Sequence, residues 1–204
     1  MKGNQRAEFS IALAKSLSGK LPDRVKGFII RQLQLCGGKE VVPAIGAFLT
    51  VGGIADDAAQ ALLAINEGSA DQFRKALPKV RKDTILYRNV LHGLAELADK
   101  ASRKSFLEAL GHKDGEAQLL GLWGLTQLAD ISTLDAFLAA DGKQTGFARV
   151  KAASFCLRFA EKLPKEKAAE IYRHLQKTRT SPQEKYLQEL AGAASEIQSV
   201  SHEE

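Results

Sequence analysis

Apolar side chains recur along this chain at helical spacing, and the same pattern returns about every 31 residues. Val90, Leu91 and Leu94, for example, lie one, three or four positions apart, which places them on one face of an α-helix. Segments of this kind end at five anchor positions separated by 30, 32, 31 and 31 residues, and so regular a spacing indicates an internal repeat. The anchors are Leu35, Ile65, Leu97, Leu128 and Phe159.

A second apolar segment follows each anchor after a short turn. Each of these segments carries two apolar residues four positions apart, so a second helix with an apolar stripe is predicted in every unit. No segment alternates apolar and polar residues for long, and no strand is predicted. The pairs are Ile45/Leu49, Phe73/Leu77, Phe106/Leu110, Leu134/Leu138 and Ile171/Leu175.

Three segments carry a small residue in mid-helix, then leucine, then a short turn with an acidic residue. They span residues 88–99, 119–130 and 149–157. In this pattern the chain resembles HEAT-like repeats of the short bacterial type, from about residue 25 to residue 177. The resemblance implies an α-solenoid that serves as a scaffold for protein partners, although some such arrays act as DNA-repair glycosylases or chromophore lyases.

The repeat leads to one fold prediction. A single hairpin cannot bury its apolar face alone, so stacked neighbours must supply the core. We predict an all-α, right-handed α-α superhelix of about five helical hairpins, forming one domain over residues 1–204. Its parts are an N-terminal capping helix at about 6–18, repeats at about 21–177 and a C-terminal capping helix at about 181–198, where Ser181 and Glu184 have capping-box spacing. A fragment of a longer array is the alternative.

Composition narrows the class of protein further. Hydrophobic residues make up 45% of the chain and charged residues 26%, which is typical of a folded protein, and the net charge is only +5. No apolar run is long enough for a membrane span. Cys36 and Cys156 fall in distant repeats, so we expect no disulfide and a reducing, cytoplasmic environment. We expect a monomer.

An acidic residue recurs two positions after four of the anchors. A row of carboxylates would suit a cation or a substrate, but a position repeated in every hairpin favours a structural role. We therefore interpret these residues as N-caps of the second helices, where a carboxylate accepts a backbone N–H bond. They are Glu67, Asp99, Asp130 and Glu161.

Cations are concentrated between positions 74 and 82, where no acidic residue intervenes, and after the equivalent turn of the next unit. A solvated helix face is the simplest interpretation of these cations. The functional interpretation is that they merge into one patch that binds an acidic face of a protein partner or, weakly, the phosphates of a nucleic acid. The candidates are Arg74, Lys75, Lys79, Arg81, Lys82, Arg103 and Lys104, with Asp135 and Lys167 as further polar positions on second helices.

Nothing in the sequence indicates catalysis. The chain has no phosphate-binding loop, no nucleophile elbow and no metal-ligand spacing among its histidines, so no cofactor and no metal are expected. Trp123, the single tryptophan, lies in a leucine-rich helix and is predicted to be a core residue. The function that we expect is a non-enzymatic protein-interaction scaffold. The alternatives are a nucleic-acid-binding protein, a glycosylase of this architecture, or an architectural segment of a larger polypeptide.

Overall fold

The computed structural model describes the backbone of residues 3–200 and the side chains of residues 4–194, and this part of the chain consists of helices and turns without a β-strand. The all-α prediction is therefore confirmed. Short 3₁₀ turns precede several of the helices. The helices are α1 Gly3–Lys15, α2 Asp23–Cys36, α3 Val42–Gly46, α4 Ala55–Ile65, α5 Ser69–Val80, α6 Thr84–Glu96, α7 Arg103–Ala109, α8 Gly115–Leu128, α9 Leu134–Asp141, α10 Gly146–Ala160, α11 Lys165–Thr178 and α12 Lys185–Val200.

The predicted repeat appears in the helix boundaries. The first helix of each hairpin ends within one residue of its anchor. Leu35 is 81% exposed whereas Phe159 is fully buried, so the anchors mark a common helix end and not a common core position. The first helices α2, α4, α6, α8 and α10 end at Cys36, Ile65, Glu96, Leu128 and Ala160.

The turn after the first helix also repeats in the backbone. Asn66, Ala98 and Ala129 follow three successive first helices, and each has a positive φ, between 46° and 64°. A left-handed residue ends a helix by turning the chain away from the helix axis. Alanine adopts this conformation at a cost, so the surrounding packing must hold the turn in place.

The chain forms two compact units, Met1–Ser102 and Arg103–Glu204. In the first unit, α2, α4 and α6 lie side by side, and α3 and α5 pack together beside them. Ile45 of α3 and Phe73 of α5 are fully buried, so the predicted apolar stripe of the second helices faces the core of this unit. Leu49 is fully buried too, but α3 ends at Gly46, so this residue lies in the turn after the helix and not on it as predicted.

In the second unit, α8 packs against α10, and α7, α9 and α11 pack against these two helices. Phe106, Phe137 and Ile171 are fully buried in this core. The final helix α12 packs against α11 and buries Ala191.

Glycines in two first helices admit a phenylalanine from the preceding second helix. A Cβ atom at Gly93 of α6 would come within 2.3 Å of the Phe73 ring, and one at Gly124 of α8 within 2.4 Å of the Phe106 ring. Such distances are well inside van der Waals contact, so only glycine allows these helices to approach so closely. The two pairs are 31 and 33 positions apart in the sequence, as a repeated packing unit requires.

The terminal helices were predicted in nearly the right places. The N-terminal helix α1 is followed by a 3₁₀ turn at Ser16–Ser18, and α12 is preceded by a 3₁₀ turn at Pro182–Glu184. The capping box expected at residues 181–184 is not formed, because the Ser181 hydroxyl donates to the Glu184 carboxylate at 2.8 Å and accepts no backbone N–H bond.

Candidate functional site

Arg74, one of the candidate binding residues, pairs with an acidic turn residue. Its guanidinium on α5 donates to the carboxylate of Asp99, which follows α6. It also pairs with Asp71, one turn earlier on α5. The hydrogen bond to Asp99 raises the pKa of Arg74 above its ordinary value. Arg74 therefore links the second helix of one hairpin to the turn of the next.

Arg103 and Asp130 repeat this arrangement within the second unit. Arg103 Nε donates to Asp130 Oδ2 at 2.6 Å, and Arg103 Nη2 donates to the Ser132 hydroxyl at 2.8 Å. Asp130 Oδ1 accepts the backbone N–H of Ser132 at 2.9 Å, so Asp130 caps the 3₁₀ turn Ile131–Thr133 and not, as predicted, the second helix α9 that follows it. Hydrogen bonds from the Ser132 hydroxyl and then from Arg103 hold the pKa of Asp130 below its usual range.

The N-cap prediction is wrong for Glu67. Helix α5 begins directly after Gly68, which has a φ of +79° and no side chain with which to cap the helix. Glu67 precedes this glycine and pairs instead with Lys39 at 3.1 Å on the surface. The intervening glycine places the glutamate outside the cap position.

The N-cap prediction is also wrong for Glu161, and it takes another form at Asp99. Glu161 directly follows α10, whereas α11 begins only after Pro164, so the carboxylate lies too early in the chain to cap that helix. Asp99 Oδ2 accepts a 2.6 Å hydrogen bond from the hydroxyl of Ser102, at the end of the following 3₁₀ turn.

Two other candidate cations lie on a groove between α3 and α5. Lys75 and Lys79 are exposed, stand one helical turn apart and line one wall, while Pro43 and Ala47 contribute to the other. Gly46 lets the walls approach, since a Cβ there would come within 2.6 Å of the Gln72 side chain. The groove lining, as described, contains no carboxylate, and neither lysine pairs with any residue of the described chain.

The remaining candidates lie outside this groove. Arg81 and Lys82 directly follow α5 and are exposed. Lys104 of α7 is 89% exposed and lies 3.9 Å from Glu108. Residues 74–82 belong to the first unit and Lys104 to the second, so the merging of all seven cations into one patch stays a prediction.

Lys167 forms an ion pair within its own helix. Its Nζ lies 2.6 Å from Glu170 Oε1, and this hydrogen bond raises the pKa of Lys167, with a smaller contribution from the charge of Asp135. Asp135 itself is exposed on α9.

Trp123 is only half-buried, so the prediction of a core residue is wrong. Its ring lies 5.3 Å from that of Phe155, and the Arg158 guanidinium stands 5.4 Å from the ring centre. Lys162 donates to Gln127 at 2.7 Å beside them. Trp123 lies at the edge of the buried stripe of α8, where a large ring is rarely enclosed completely.

A buried charge cluster in the second unit was missed by sequence reasoning. Asp141, the last residue of α9, and Arg179, which follows α11, are both fully buried, and Arg179 Nη2 donates to Asp141 Oδ1 at 2.5 Å. The Nε2 atom of His174 lies 2.7 Å from Asp141 Oδ2. Since the carboxylate next to Arg179 can only accept, His174 Nε2 is the donor in this bond.

Glu184 extends the cluster towards α12. It accepts from Arg149 Nε at 2.6 Å and from the Ser181 hydroxyl, and Arg179 Nε lies 3.7 Å away. The hydrogen bond from Arg149 is the main cause that holds the pKa of Glu184 below its usual range. The cluster therefore ties α10, α11 and the start of α12 together.

No sequence motif could have found this cluster. Asp141 is 33 positions from His174 and 38 from Arg179, and these residue types match no metal or catalytic pattern at that spacing. The one hint in the sequence was the group Arg179, Ser181 and Glu184 beside Pro182. These residues indicate the start of a helix, but they do not indicate that Arg179 is buried.

The cysteines are free thiols. Cys156 is buried beside the cluster, and its burial, followed by the negative charge of Asp141, raises the pKa of its thiol well above the usual value. Cys156 therefore stays protonated at neutral pH and is a poor nucleophile.

Neither a metal site nor a membrane span is found in the part of the chain that the structure describes. No three histidine, cysteine, aspartate or glutamate side chains gather there in a way that could hold a metal ion. Each helix in that part is too short or too polar to cross a bilayer.

Comparison with known proteins gives no family for this chain. No protein-family model matches the sequence, and no curated protein matches it. The likeness to HEAT-like repeats therefore stays a prediction from the repeat in the sequence.

Proposed function

We propose that this chain is a non-enzymatic protein-interaction scaffold, built as a right-handed superhelix of HEAT-like hairpins, and that its α3–α5 groove receives an acidic segment of a partner protein. The observation that carries the proposal is the pair Lys75 and Lys79, which line this groove without an ion-pair partner among the described residues.

The lining of the groove suits an acidic peptide. Gly46, Ala47 and Ala76 leave room for a backbone to approach, and Thr50 and Gln72 offer hydrogen-bonding groups. The Cβ atoms of two lysines one helical turn apart are about 5–6 Å from each other on the helix surface. Carboxylates of a partner would find positive charge there without competition from the protein itself, which promotes rapid association and selects against basic partners.

Arg74 and Arg103 have a different task in this proposal. Both are held by acidic turn residues, so a partner would have to displace an existing ion pair to reach them. Reversing their charge would disturb the hairpin turns and would not report on binding alone. The docking role is therefore assigned to the lysines.

Nucleic-acid binding through the same lysines is the second candidate, favoured by the net charge of +5. A chain that neutralises phosphates releases counterions, so its affinity falls log-linearly as salt rises. A protein partner held by two lysines and by short-range contacts would show a shallower dependence.

The test is a pull-down from native lysate by the full chain, with and without nuclease, at low and moderate salt. The test variant is K75E/K79E, and the matched control K15E/K20E reverses two exposed lysines of the same unit outside the groove. We expect the wild type and the control to capture the same discrete protein with or without nuclease, and K75E/K79E to lose it.

Two results would contradict the proposal. Capture that is unchanged in K75E/K79E would remove the groove as the docking site. Nucleic acid recovered in place of a protein, and lost as salt rises, would favour the second candidate. Thermal unfolding of each variant is the control, and we expect it to show that the charge reversals leave the fold intact.

A further inference from the structure

We propose that the exposed face of α11 in the second unit binds a phosphate monoester through Arg173, His174 and Lys177. This site is separate from the α3–α5 groove and does not depend on the function proposed for it. The three side chains line one hollow together with Glu170.

The hollow is small, and the lining that the structure describes comes from a single helix. Residues 170, 173, 174 and 177 are three or four positions apart, or adjacent, so they share one face of α11. Its volume of about 240 Å³ is below the ~300–1,000 Å³ of sites that enclose drug-sized ligands. A compact group fits such a hollow better than an extended ligand does.

The charge of the hollow is positive. Glu170 is the one carboxylate in the described lining, and Lys167 Nζ donates to its Oε1 at 2.6 Å. Arg173 Nε donates to the backbone carbonyl of Ala169 at 3.2 Å, and this hydrogen bond restrains the guanidinium group. Its two terminal nitrogens and Lys177 Nζ form no bond with the residues that the structure describes, so they remain available to a ligand.

His174 is held in one orientation by the buried charge cluster. Its Nε2 donates to Asp141, which is fully buried and paired with Arg179, so the imidazole cannot turn without breaking a buried hydrogen bond. The side chain is 18% exposed. The other ring nitrogen, Nδ1, bonds to no described residue. Because the proton is on Nε2, Nδ1 of the neutral ring is a hydrogen-bond acceptor, and it can accept from the P–OH group of a singly ionised phosphate monoester.

These three groups match a phosphate monoester. Such a group carries a charge of about −1.5 to −2 at neutral pH and three terminal oxygens that accept hydrogen bonds. The planar guanidinium of Arg173 can engage two of the oxygens, and Lys177 adds a point charge. A carboxylate has one charge and two oxygens, and a phosphodiester has one charge, so we expect both groups to bind this site more weakly than a phosphate monoester.

The test follows the ring resonances of His174 by NMR in the full chain, together with calorimetric titration. The probes are inorganic phosphate, O-phosphoserine, a phosphoserine peptide and a single-stranded oligonucleotide that carries only diesters. We expect the first three to shift the His174 resonances at saturable concentrations and the oligonucleotide not to do so. A peptide that binds more tightly than free phosphoserine would identify a phosphorylated protein as the source of the group, whereas equal affinity would indicate a small phosphorylated molecule.

The test variant is R173Q/K177Q, which leaves the buried contact of His174 in place. Its matched control is K151Q/K185Q, which removes two exposed positive charges from the same unit. We expect R173Q/K177Q to weaken phosphate affinity by about 100-fold, because two charge-assisted hydrogen bonds are lost, and the control to change it little.

Three outcomes would overturn the proposal. One is the absence of any phosphate-dependent shift at His174. Another is an equal loss of affinity in R173Q/K177Q and K151Q/K185Q, which would mean that phosphate senses only the net charge. The third is a stronger response to the oligonucleotide than to phosphate. Loss of partner capture in K75E/K79E would affect none of these readouts, so the two proposals fail independently.

Discussion

The two compact units share one packing pattern but place their charges differently. Each contains a first-helix glycine that admits a phenylalanine, and each joins an arginine to an acidic turn residue. Among the described residues, however, the buried charged side chains are Asp141, Arg179 and Glu184, and all three belong to the second unit. The ion pairs described in the first unit lie at partly or fully exposed positions.

This difference sets how much stability each ion pair carries. Water screens a half-exposed pair, and such a pair contributes little to folding. A buried pair contributes little over a well-packed apolar replacement, but removal of one partner leaves the other charge buried and uncompensated. The loss of the buried Arg179 in the second unit should therefore cost far more than the loss of an arginine from a solvent-exposed pair.

The largest effect is expected from R179M. It leaves the Asp141 carboxylate buried without its guanidinium partner, and we expect a loss of about 3–5 kcal/mol in the free energy of unfolding, measured with urea. The double variant D141L/R179M removes both charges and should recover much of this loss. A loss below about 1 kcal/mol in R179M would show that the cluster is well solvated and would abolish the contrast between the units.

E184Q tests the same cluster through pH. The pKa of Glu184 is lowered in the folded state, so its contribution to stability is present above the ordinary glutamate pKa and is lost as pH falls through the lower, folded value. We expect E184Q to cost about 2 kcal/mol at pH 7 and the difference from the wild type to shrink below about pH 4. Unfolding curves from pH 7 to pH 2 measure this. A difference that is constant with pH would exclude the ionised Glu184–Arg149 pair as its cause.

G93A and G124A test the feature that the units share. In each variant the new Cβ meets a phenylalanine ring, and we expect an overpacking cost of about 1–3 kcal/mol, reduced by about 1 kcal/mol because alanine favours the helix. The two losses should be similar. The control is G115A, at a position where a Cβ meets nothing within 4 Å, and it should be neutral or stabilising. A loss in only one unit would mean that the packing is not equivalent.

The smallest effect is expected from R103Q at the half-exposed turn pair. We expect a loss of about 0.5–1 kcal/mol, because Arg103 is 41% exposed and its pair with Asp130 is screened. A double-mutant cycle with D130N isolates the coupling, since asparagine keeps an oxygen for the Ser132 backbone N–H. A coupling as large as that of the Asp141–Arg179 pair would remove the distinction between exposed and buried pairs.

The sequence predicted the repeat and the ends of the first helices, but not which partner each candidate residue meets. Arg74 and Lys75 are neighbours in the chain and were grouped as equivalent cations. The structure pairs Arg74 with Asp99, 25 positions away, and leaves Lys75 in a groove without a carboxylate. Side chains one position apart point in directions about 100° apart on a helix, so their partners depend on which neighbouring element each one meets.

The turn carboxylates show the same limit. The spacing of Asp99 and Asp130 identified a repeated structural position, and both hold a turn in place. Glu67 and Glu161 share that spacing but do not cap a helix, because the residues between each glutamate and the next helix differ in number and conformation. A residue caps a helix only if it stands directly before the first helical residue, and a displacement of one or two positions abolishes the cap. The anchor spacing does not fix that position, because the turns of successive repeats differ in length.

The sequence by itself determined the all-α class, the interval of the hairpins and the apolar stripe of the second helices, because these follow from a helical period that neighbouring residues set. Only the tertiary structure decided which cations are paired, that Trp123 lies at a surface, and that Asp141 and Arg179 are buried together. Those outcomes depend on helices brought together from distant parts of the chain, where the local environment of a charge is set by packing and not by its neighbours in the sequence.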